Sequence, residues 1–211
     1  MSVLWTTATA LALCVATGLV WRWAGWPCPA WLVPLLENPY FEAVAGAESL
    51  LERAGVRPGM RVLDAGCGPG RLTLPAARRV GASGSVVAVD FQAAMLAKLA
   101  ERVAAERLAN VELVEAGLGD GKLPAEQFDV AFLVTVLGEI ADKQAALREI
   151  HRSLRPGGLL SVTEVLPDPH YQRLARVRAL GAAAGFREAG LLRGRLSYTL
   201  NLGKPDEETQ P

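Results

Sequence analysis

The sequence predicts an α/β fold built on a doubly wound, mostly parallel β-sheet. Helix-like and strand-like segments alternate from residue 40 to residue 185, which is typical of parallel sheets whose strands are connected by helices. The run FDVAFLVTVL, 128–137, is apolar enough to be covered on both faces of the sheet. Residues 186–204 read as an antiparallel pair. We therefore expect seven strands, with an antiparallel strand closing the sheet.

Hydrophobic periodicity predicts each element in order. Apolar residues recur at helical spacing in five segments, namely 40–56, 71–81, 93–108, 143–154 and 171–185. Short apolar runs lie between them and predict strands at 60–66, 84–90, 110–116, 128–137 and 159–165. The sequence RPGG, 155–158, should end a helix before the fifth strand begins. A fold with this order is Rossmann-like.

The composition excludes several classes of function. Lys and Arg number 22 and Asp and Glu also number 22, so no net charge favours nucleic acid as a partner. The three cysteines, Cys14, Cys28 and Cys67, are too few and too scattered for a disulfide framework or a zinc site. We expect a reduced, intracellular domain with no bound metal.

The N-terminus predicts a transmembrane or membrane-anchor helix over residues 1–26. Residues 1–21 contain no charged side chain, and a helix over 3–21 would be about 28 Å long, close to the thickness of the hydrocarbon core. Four tryptophans near its end resemble an interfacial aromatic belt, at positions Trp21, Trp23, Trp26 and Trp31. Arg22 follows the apolar run and favours a single-pass protein whose domain faces the cytoplasm. A cleaved signal peptide and a buried core helix are the alternatives, although the basic region of a signal peptide is missing.

Two further boundaries follow from composition. Four prolines in residues 27–39 exclude one regular helix, so this segment is a linker that lies along the membrane or packs on the domain as a lid. The domain itself is expected at 40–204, and the polar residues 205–211 form a disordered tail.

A glycine-rich turn follows the first predicted strand. In RVLDAGCGPGRL, 61–72, Asp64 precedes glycines at alternate positions, Gly66, Gly68 and Gly70. Glycine lets the backbone approach a ligand closely, and the ligand crevice of such folds lies beyond the carboxyl ends of the strands. Asp90, at the end of the second strand, stands where a carboxylate binds a ribose diol. These features predict a nucleoside site. A nicotinamide cofactor, or a turn needed only for chain geometry with Asp90 as a helix N-cap, are the alternatives.

The spacing D-x-G-x-G-x-G resembles motif I of the class I S-adenosylmethionine-dependent methyltransferases. Three later segments, VVAVDFQAAML, FDVAFLVTVLGEI and ALREIHRSLRPGGLLSVTE, resemble further motifs of that family in the same order. The similarity extends from about residue 37 to residue 204. Within the family, the sequence most resembles the branch that includes the ubiquinone and menaquinone methyltransferases. The resemblance implies an enzyme that transfers a methyl group from S-adenosylmethionine.

The resemblance also implies roles for individual residues. The motif I residues, Asp64, Gly66, Gly68 and Gly70, would hold the methionine moiety of the cofactor. Asp90 would bind the ribose and Phe91 would pack on the adenine, while Val134 and Thr135 would contact the cofactor from the fourth strand.

One position departs from the family pattern. The family usually has an Asp after the third strand that binds the adenine amino group, and Gly117 stands near that position. Leu118 remains available to pack on the adenine ring, and Asp120 is a candidate replacement for the acid.

Residues for the methyl acceptor are less clearly marked. Glu139, after the fourth strand, and His170, after the fifth, are the catalytic candidates because they lie at the end of the sheet where the site is expected. Glu164, Asp168 and Tyr171 are weaker candidates, and His151 is expected on a solvated helix face.

Three functions remain open at this point. The first is a membrane-anchored methyltransferase for a lipophilic acceptor, such as a quinone precursor, an isoprenoid or a phospholipid headgroup. The second is a methyltransferase for a soluble small molecule or a protein. The third is a non-catalytic membrane-tethered protein that keeps the fold for binding.

Overall fold

A computed structural model describes residues 39–206 of the chain. Its seven strands are β1 (Arg61–Ala65), β2 (Ser85–Asp90), β3 (Val111–Glu115), β4 (Phe128–Val134), β5 (Leu154–Val165), β6 (Arg187–Arg193) and β7 (Ser197–Gly203). Its six helices are α1 (Pro39–Ala45), α2 (Ala47–Arg53), α3 (Thr73–Val80), α4 (Ala93–Ala105), α5 (Lys143–Ser153) and α6 (Leu174–Ala183).

The strands form one seven-stranded sheet in the order β3-β2-β1-β4-β5-β7-β6. Strands β1 to β5 pair in parallel, whereas β7 runs antiparallel to both of its neighbours, β5 and β6. The strand order reverses at β1, where β2 lies on one side and β4 on the other. The predicted α/β architecture with a mostly parallel sheet, including the antiparallel closing strand, is confirmed.

The core lies on both faces of the sheet because successive side chains of a strand point to opposite sides. Val62 packs with the cluster on one face, which includes Phe132. The next residue, Leu63, packs with the cluster on the other face, which includes Leu133. All four side chains are fully buried. This double coverage explains why the central strands are apolar at nearly every position.

The expected single helix over 40–56 is wrong, since the chain forms two short helices with Gly46 between them. Gly46 has an extended backbone, with φ −60° and ψ 135°. A Cβ atom at this position would lie 2.6 Å from the carbonyl oxygen of Glu42. The absence of a side chain therefore permits a close turn that apolar periodicity does not reveal.

The segment RPGG was also interpreted wrongly, because β5 begins at Leu154 and includes it. Leu154 pairs with Phe128 and Leu159 pairs with Val130, so the extra residues form an irregularity in the β4–β5 register. Proline and glycine in strands are concentrated at such bulges. The helix does end before this segment, at Ser153.

Some sequence predictions fall outside the described part of the chain. The membrane-anchor helix at 1–26, almost all of the linker at 27–39 and residues 207–211 of the tail belong to this group. Between residues 39 and 206, the structure contains no helix with the length and apolar character needed to cross a bilayer.

Candidate functional site

A cavity of about 600 Å³ opens at the carboxyl ends of β1, β2 and β4. This is the edge at which ligands bind in open α/β sheets. Nine of the eleven predicted site residues line it, namely Asp64, Gly66, Gly68, Asp90, Phe91, Leu118, Val134, Thr135 and Glu139. Gly70 and His170 are the two that do not. The residues chosen from four separate segments are therefore brought to one cavity.

Asp90 fastens the glycine-rich loop to the second strand. One carboxylate oxygen, Oδ2, accepts a hydrogen bond from the N–H of Gly68 at 2.9 Å, and Oδ1 accepts one from the N–H of Gln92 at 2.8 Å. Burial raises the pKa of Asp90, and these backbone donors oppose that shift. The N-cap of α4 is Gln92, so Asp90 is not the helix cap that the alternative interpretation required. Its carboxylate has lone pairs left for a ligand at the cavity wall.

Glycine is needed at each of the three loop positions for a different structural reason. All have positive φ angles, of 78° at Gly66, 52° at Gly68 and 95° at Gly70. A Cβ atom on Gly66 would lie 2.5 Å from Val136, and one on Gly70 would lie 2.3 Å from Leu99. A Cβ atom on Gly68 would meet no described atom within 4 Å, because it would point into open space. Gly68 is therefore the glycine that leaves room at the cavity wall, and Gly70 serves the core.

Asp64 is a buried carboxylate at the end of β1. The hydroxyl of Thr73 donates a hydrogen bond of 2.6 Å to its Oδ2. Burial raises the pKa of Asp64 to about 6, although Thr73 and the nearby Arg71 guanidinium act in the opposite direction. At neutral pH most molecules therefore carry a negative charge at this wall of the cavity.

Asp120 occupies the space beside Gly117. The N–H of Gly117 donates a hydrogen bond to Asp120 Oδ2 at 3.1 Å, and a Cβ atom on Gly117 would lie 2.9 Å from that oxygen. Asp120 also lines the cavity. A carboxylate from three residues further along the chain therefore lies beside position 117, where the resemblance expects an acid. Phe91, half of whose side chain is exposed, and Leu118 line the same end of the cavity.

The chain leaves β4 in a strained conformation. Thr135 has a φ angle of 57°, a left-handed conformation that costs an L-residue roughly 1–2 kcal/mol. Its N–H donates to the carbonyl of Thr163 at 2.8 Å, and its hydroxyl donates to the carbonyl of Val134 at 2.7 Å. This turn ends the strand at Val134, three residues earlier than expected, and brings the following loop to the cavity.

Glu139 and Asp168 form the acidic wall at the opposite end of the cavity. The Nδ1 atom of His170 lies 3.9 Å from a carboxylate oxygen of each. The His170 side chain is buried behind these two residues. Its backbone packs so closely on Gly138 that a Cβ atom there would lie 1.9 Å from the His170 carbonyl oxygen. His170 is therefore placed to orient the two acids, and the acids themselves face the cavity.

Glu164 and Tyr171, the weaker candidates, lie behind that wall. Glu164 is 1% exposed, and its Oε2 accepts a hydrogen bond from the N–H of Gln172 at 3.0 Å. Its Oε1 has no hydrogen-bond partner within residues 39–206. Burial raises the pKa of Glu164 to about 8, so the group is mostly protonated at pH 7. The Tyr171 ring packs edge-to-face on Tyr198, with ring centroids 5.9 Å apart.

The prediction that His151 lies on a solvated helix face is wrong. Its ring is partly buried and packs edge-on against Phe186, with ring centroids 4.8 Å apart. Burial lowers the pKa of His151. The residue belongs to the packing between α5 and the chain after α6, and it does not line the cavity.

The cavity wall is strongly acidic. Six carboxylates line it, while Arg71 is the one basic side chain among the described lining residues. The lining residues that sequence reasoning missed include Arg71, Met95, Ile140 and Asp142. Asp142 had a signal, since it is the N-cap of α5 and accepts the N–H of Ala145 at 2.8 Å. Across residues 39–206 no group of three metal-binding side chains is present.

Comparison with known proteins agrees with this geometry. Residues 62–158 match the protein family described as a methyltransferase domain. The chain is 38% identical over 122 residues to the ubiquinone/menaquinone biosynthesis C-methyltransferase UbiE of Shewanella sp. strain ANA-3, covering 57% of this chain and 48% of that protein. It is 36% identical over 132 residues to the nocamycin O-methyltransferase of Saccharothrix syringae, covering 61% and 46% of the two chains.

A solved structure shows the same fold. The crystal structure of a SAM-dependent methyltransferase from Aquifex aeolicus superimposes with a TM-score of 0.78 at 23% identity, over 84% of this chain and 100% of that one. The chain spans about half the length of the curated relatives it matches. Residues 62–158 match the methyltransferase-domain family, and the described part of the chain has the fold of this solved structure.

Proposed function

We propose that the protein transfers the methyl group of S-adenosylmethionine to an uncharged, largely apolar small molecule. The observation that carries this proposal is the pair of carboxylates, Asp64 and Asp90, at the ends of two neighbouring strands on either side of the open wall at Gly68. Nucleoside sites of doubly wound sheets are built in this way.

The cavity fits the cofactor in size and chemistry. Its volume lies within the range of small-molecule sites, roughly 300–1,000 Å³. Asp90 has acceptor capacity for the ribose hydroxyls, Phe91 and Leu118 offer apolar surface for the adenine ring, and Asp64 offers a negative charge to the ammonium of the methionine moiety. When bound, S-adenosylmethionine supplies an electrophilic methyl group on a positively charged sulfur.

The acceptor end of the cavity combines apolar and acidic groups. Val136 and Ile140 line it together with Glu139 and Asp168, and Arg71 is the one basic residue described along the whole cavity. A phosphate or carboxylate on the acceptor would lie beside two like charges, which is unfavourable. An uncharged acceptor avoids this repulsion. The two relatives named above, a C-methyltransferase and an O-methyltransferase, support acceptors that give up a proton from carbon or oxygen.

Glu139 is the residue that we assign as proton acceptor. Its carboxylate faces the cavity, while His170 stands behind it and contacts both acids. A proton taken by Glu139 can be stabilised by this neighbouring imidazole, and His170 is therefore a positioning residue in the proposal. Methyl transfer needs this help only when the acceptor must lose a proton.

Isothermal titration of the full chain in detergent tests cofactor binding. We expect S-adenosylmethionine to bind in the micromolar range. Asp90→Ala should weaken binding by about 1.5–3 kcal/mol, as expected for the loss of hydrogen bonds to a charged group. The exposed Glu112, whose side chain is 63% accessible, provides the matched control Glu112→Ala. If no binding is detected at millimolar ligand, the protein has the fold but not the proposed activity.

Mass spectrometry of lipid and small-molecule extracts identifies the acceptor. Extracts from cells with and without the protein are incubated with a methyl-labelled cofactor, and the labelled product is recovered. Label in the lipid fraction supports a lipophilic acceptor, and label in the aqueous fraction supports a soluble one. Cofactor binding without label in any fraction, including protein, would favour the non-catalytic binding protein.

We also propose that residues 1–26 anchor the protein in a membrane as a single-pass segment with the domain on the cytoplasmic side. The uncharged run over 1–21 and Arg22 after it support this location. The full chain should remain in membranes through high salt and alkaline carbonate, since salt screens only electrostatic attachment. External protease should not digest the domain in intact cells. Release by carbonate, or a mature protein lacking 1–25, would contradict the anchor.

A further inference from the structure

Exposed leucines are concentrated at one place on the domain. Four large apolar side chains are exposed between residues 39 and 206, and one of them, Phe91, lines the cavity. The other three are Leu166, Leu192 and Leu196, with 39%, 37% and 41% of their surface accessible. Leu192 and Leu196 flank the turn between β6 and β7, and the N–H of Leu166 donates to the carbonyl of Leu196 at 2.7 Å. The three leucines therefore form one patch at the hairpin tip.

Arginines surround this patch. Arg193 ends β6 and Arg195 lies in the turn that follows, and Arg53 lines the same groove, which α1 borders through Ala43 and Val44. All three arginines are exposed. None of them forms an ion pair within the part of the chain that the structure describes. We call the three leucines and three arginines together the hairpin surface.

The hairpin surface lies at the same edge of the sheet as the cavity. Val165, the last residue of β5, pairs with Ser197, the first residue of β7. The β6–β7 turn is therefore level with the carboxyl ends of the parallel strands. Asp168, only two residues after Leu166, lines the cavity. Two strand spacings, roughly 10 Å, separate β5 from β6, so a partner on the hairpin surface would also be beside the acceptor end.

We propose that the hairpin surface binds the headgroup region of an anionic phospholipid bilayer. A protruding turn with exposed leucines can insert them below the headgroups while its arginines remain level with the phosphates. The charge is complementary, because all the ionised side chains of the hairpin surface are positive and the cytoplasmic leaflet is negative. The uncharged run at 1–21 precedes α1, and α1 borders the groove. The inference is independent of the cofactor, and would stand if the methyl acceptor were soluble.

Site-specific fluorescence on the full chain tests this surface. Cys14 and Cys28 are replaced by serine, Cys67 is buried, and a small apolar fluorophore is attached after Leu196→Cys. The matched control is Ser83→Cys, an exposed position at the amino end of β2, on the opposite edge of the sheet. Each protein is reconstituted into vesicles of phosphatidylglycerol and phosphatidylcholine, or of phosphatidylcholine alone, that carry a nitroxide-labelled lipid as quencher.

We expect strong quenching at position 196 in the anionic vesicles, weak quenching there in phosphatidylcholine, and weak quenching at position 83 in both. Arg193→Glu together with Arg195→Glu should lower the quenching at 196 by more than half, while Arg57→Glu, an exposed arginine before β1, should not. High salt should act in the same direction as the double substitution, because it screens exposed charges.

Three results would overturn the proposal. Equal quenching at 196 and 83 would show that the hairpin surface does not contact lipid. A fluorophore at 196 that is already shielded in detergent at low protein concentration would show that residues 1–38 of the chain cover the surface. Shielding that increases with protein concentration in detergent would show that a second copy covers it. Circular dichroism of the labelled proteins confirms that each variant is folded.

Discussion

Replacement of two neighbouring glycines by alanine should separate ligand binding from folding. Gly68 and Gly70 belong to the same turn and both have positive φ angles, of 52° and 95°. An alanine methyl group at 68 would enter open space at the cavity wall, whereas one at 70 would lie 2.3 Å from Leu99 in the core. We expect Gly68→Ala to lose cofactor affinity and Gly70→Ala to lose stability.

The magnitudes follow from these contacts. A left-handed backbone costs an L-residue roughly 1–2 kcal/mol, which applies to both substitutions. Gly70→Ala also overpacks the core, at about 1–3 kcal/mol, for a total of about 2–5 kcal/mol. At roughly 2–4 °C per kcal/mol for a domain of this size, the melting temperature should fall by about 4–20 °C for Gly70→Ala. For Gly68→Ala the fall should be about 2–8 °C.

Thermal unfolding and isothermal titration measure the two effects on the same preparations. Gly68→Ala should bind S-adenosylmethionine at least about tenfold more weakly, or roughly 1.4 kcal/mol. Gly70→Ala, measured well below its melting temperature, should retain most of the affinity. The reasoning would be refuted if the cofactor bound Gly68→Ala as tightly as wild type, or if the two substitutions destabilised the protein equally.

The remaining predictions concern buried polar groups and one close contact. The pKa of Glu164 is raised from 4.5 to about 8, so the folded protein holds this proton more tightly and loses stability as pH rises from about 4.5 to 8. Glu164→Gln should remove that loss and be more stable than wild type at pH 8 by up to about 5 kcal/mol in denaturant unfolding. Thr73→Val removes the hydroxyl bound to Asp64 and should cost about 1.5–3 kcal/mol at pH 8, and less at pH 5, where Asp64 is largely protonated. Gly138→Ala should displace the backbone of His170. We expect the free energy of unfolding to fall by about 1–3 kcal/mol, and kcat to fall as well.

Each of these three has a result that would contradict it. An identical pH dependence of stability in Glu164→Gln and wild type would mean that this carboxyl is not the buried proton site. A cost of Thr73→Val that is the same at both pH values would mean that the hydroxyl serves packing and not the charge of Asp64. A normal kcat in a destabilised Gly138→Ala variant would mean that turnover does not depend on the position of His170.

The alternation of strands and helices was sufficient to predict the sheet, because short, nearly continuous apolar runs between helices are typical of parallel strands buried on both faces. Local exceptions were harder to predict. Gly46 breaks a helix through the space beside Glu42, and the RPGG segment joins a strand through a bulge whose partner residues are more than twenty positions away. Periodicity contains no information on either contact.

In the candidate site, too, some positions could be predicted from the sequence and others depend on tertiary contacts. Asp64 and Asp90 could be placed at the cavity from the sequence because strand ends and ligand crevices coincide in this fold. The role of Gly70 in the core depends on Leu99, a residue in a different helix. The position of Asp120 beside Gly117 depends on the path of a turn. His170 was assigned to the correct loop, but its depth behind Glu139 is set by Gly138, which spacing alone does not indicate.

The excess of carboxylates around the cavity has a consequence for turnover. Methyl transfer removes the positive charge from sulfur, so the spent cofactor is less cationic than the cofactor that entered. A wall with six acids and one arginine attracts the charged form more strongly than the discharged form. In the proposed reaction, methyl transfer therefore weakens the attraction between the cavity wall and the cofactor. We expect S-adenosylhomocysteine to leave readily and to be a weak inhibitor, and the difference in affinity between the two forms should shrink as salt is added.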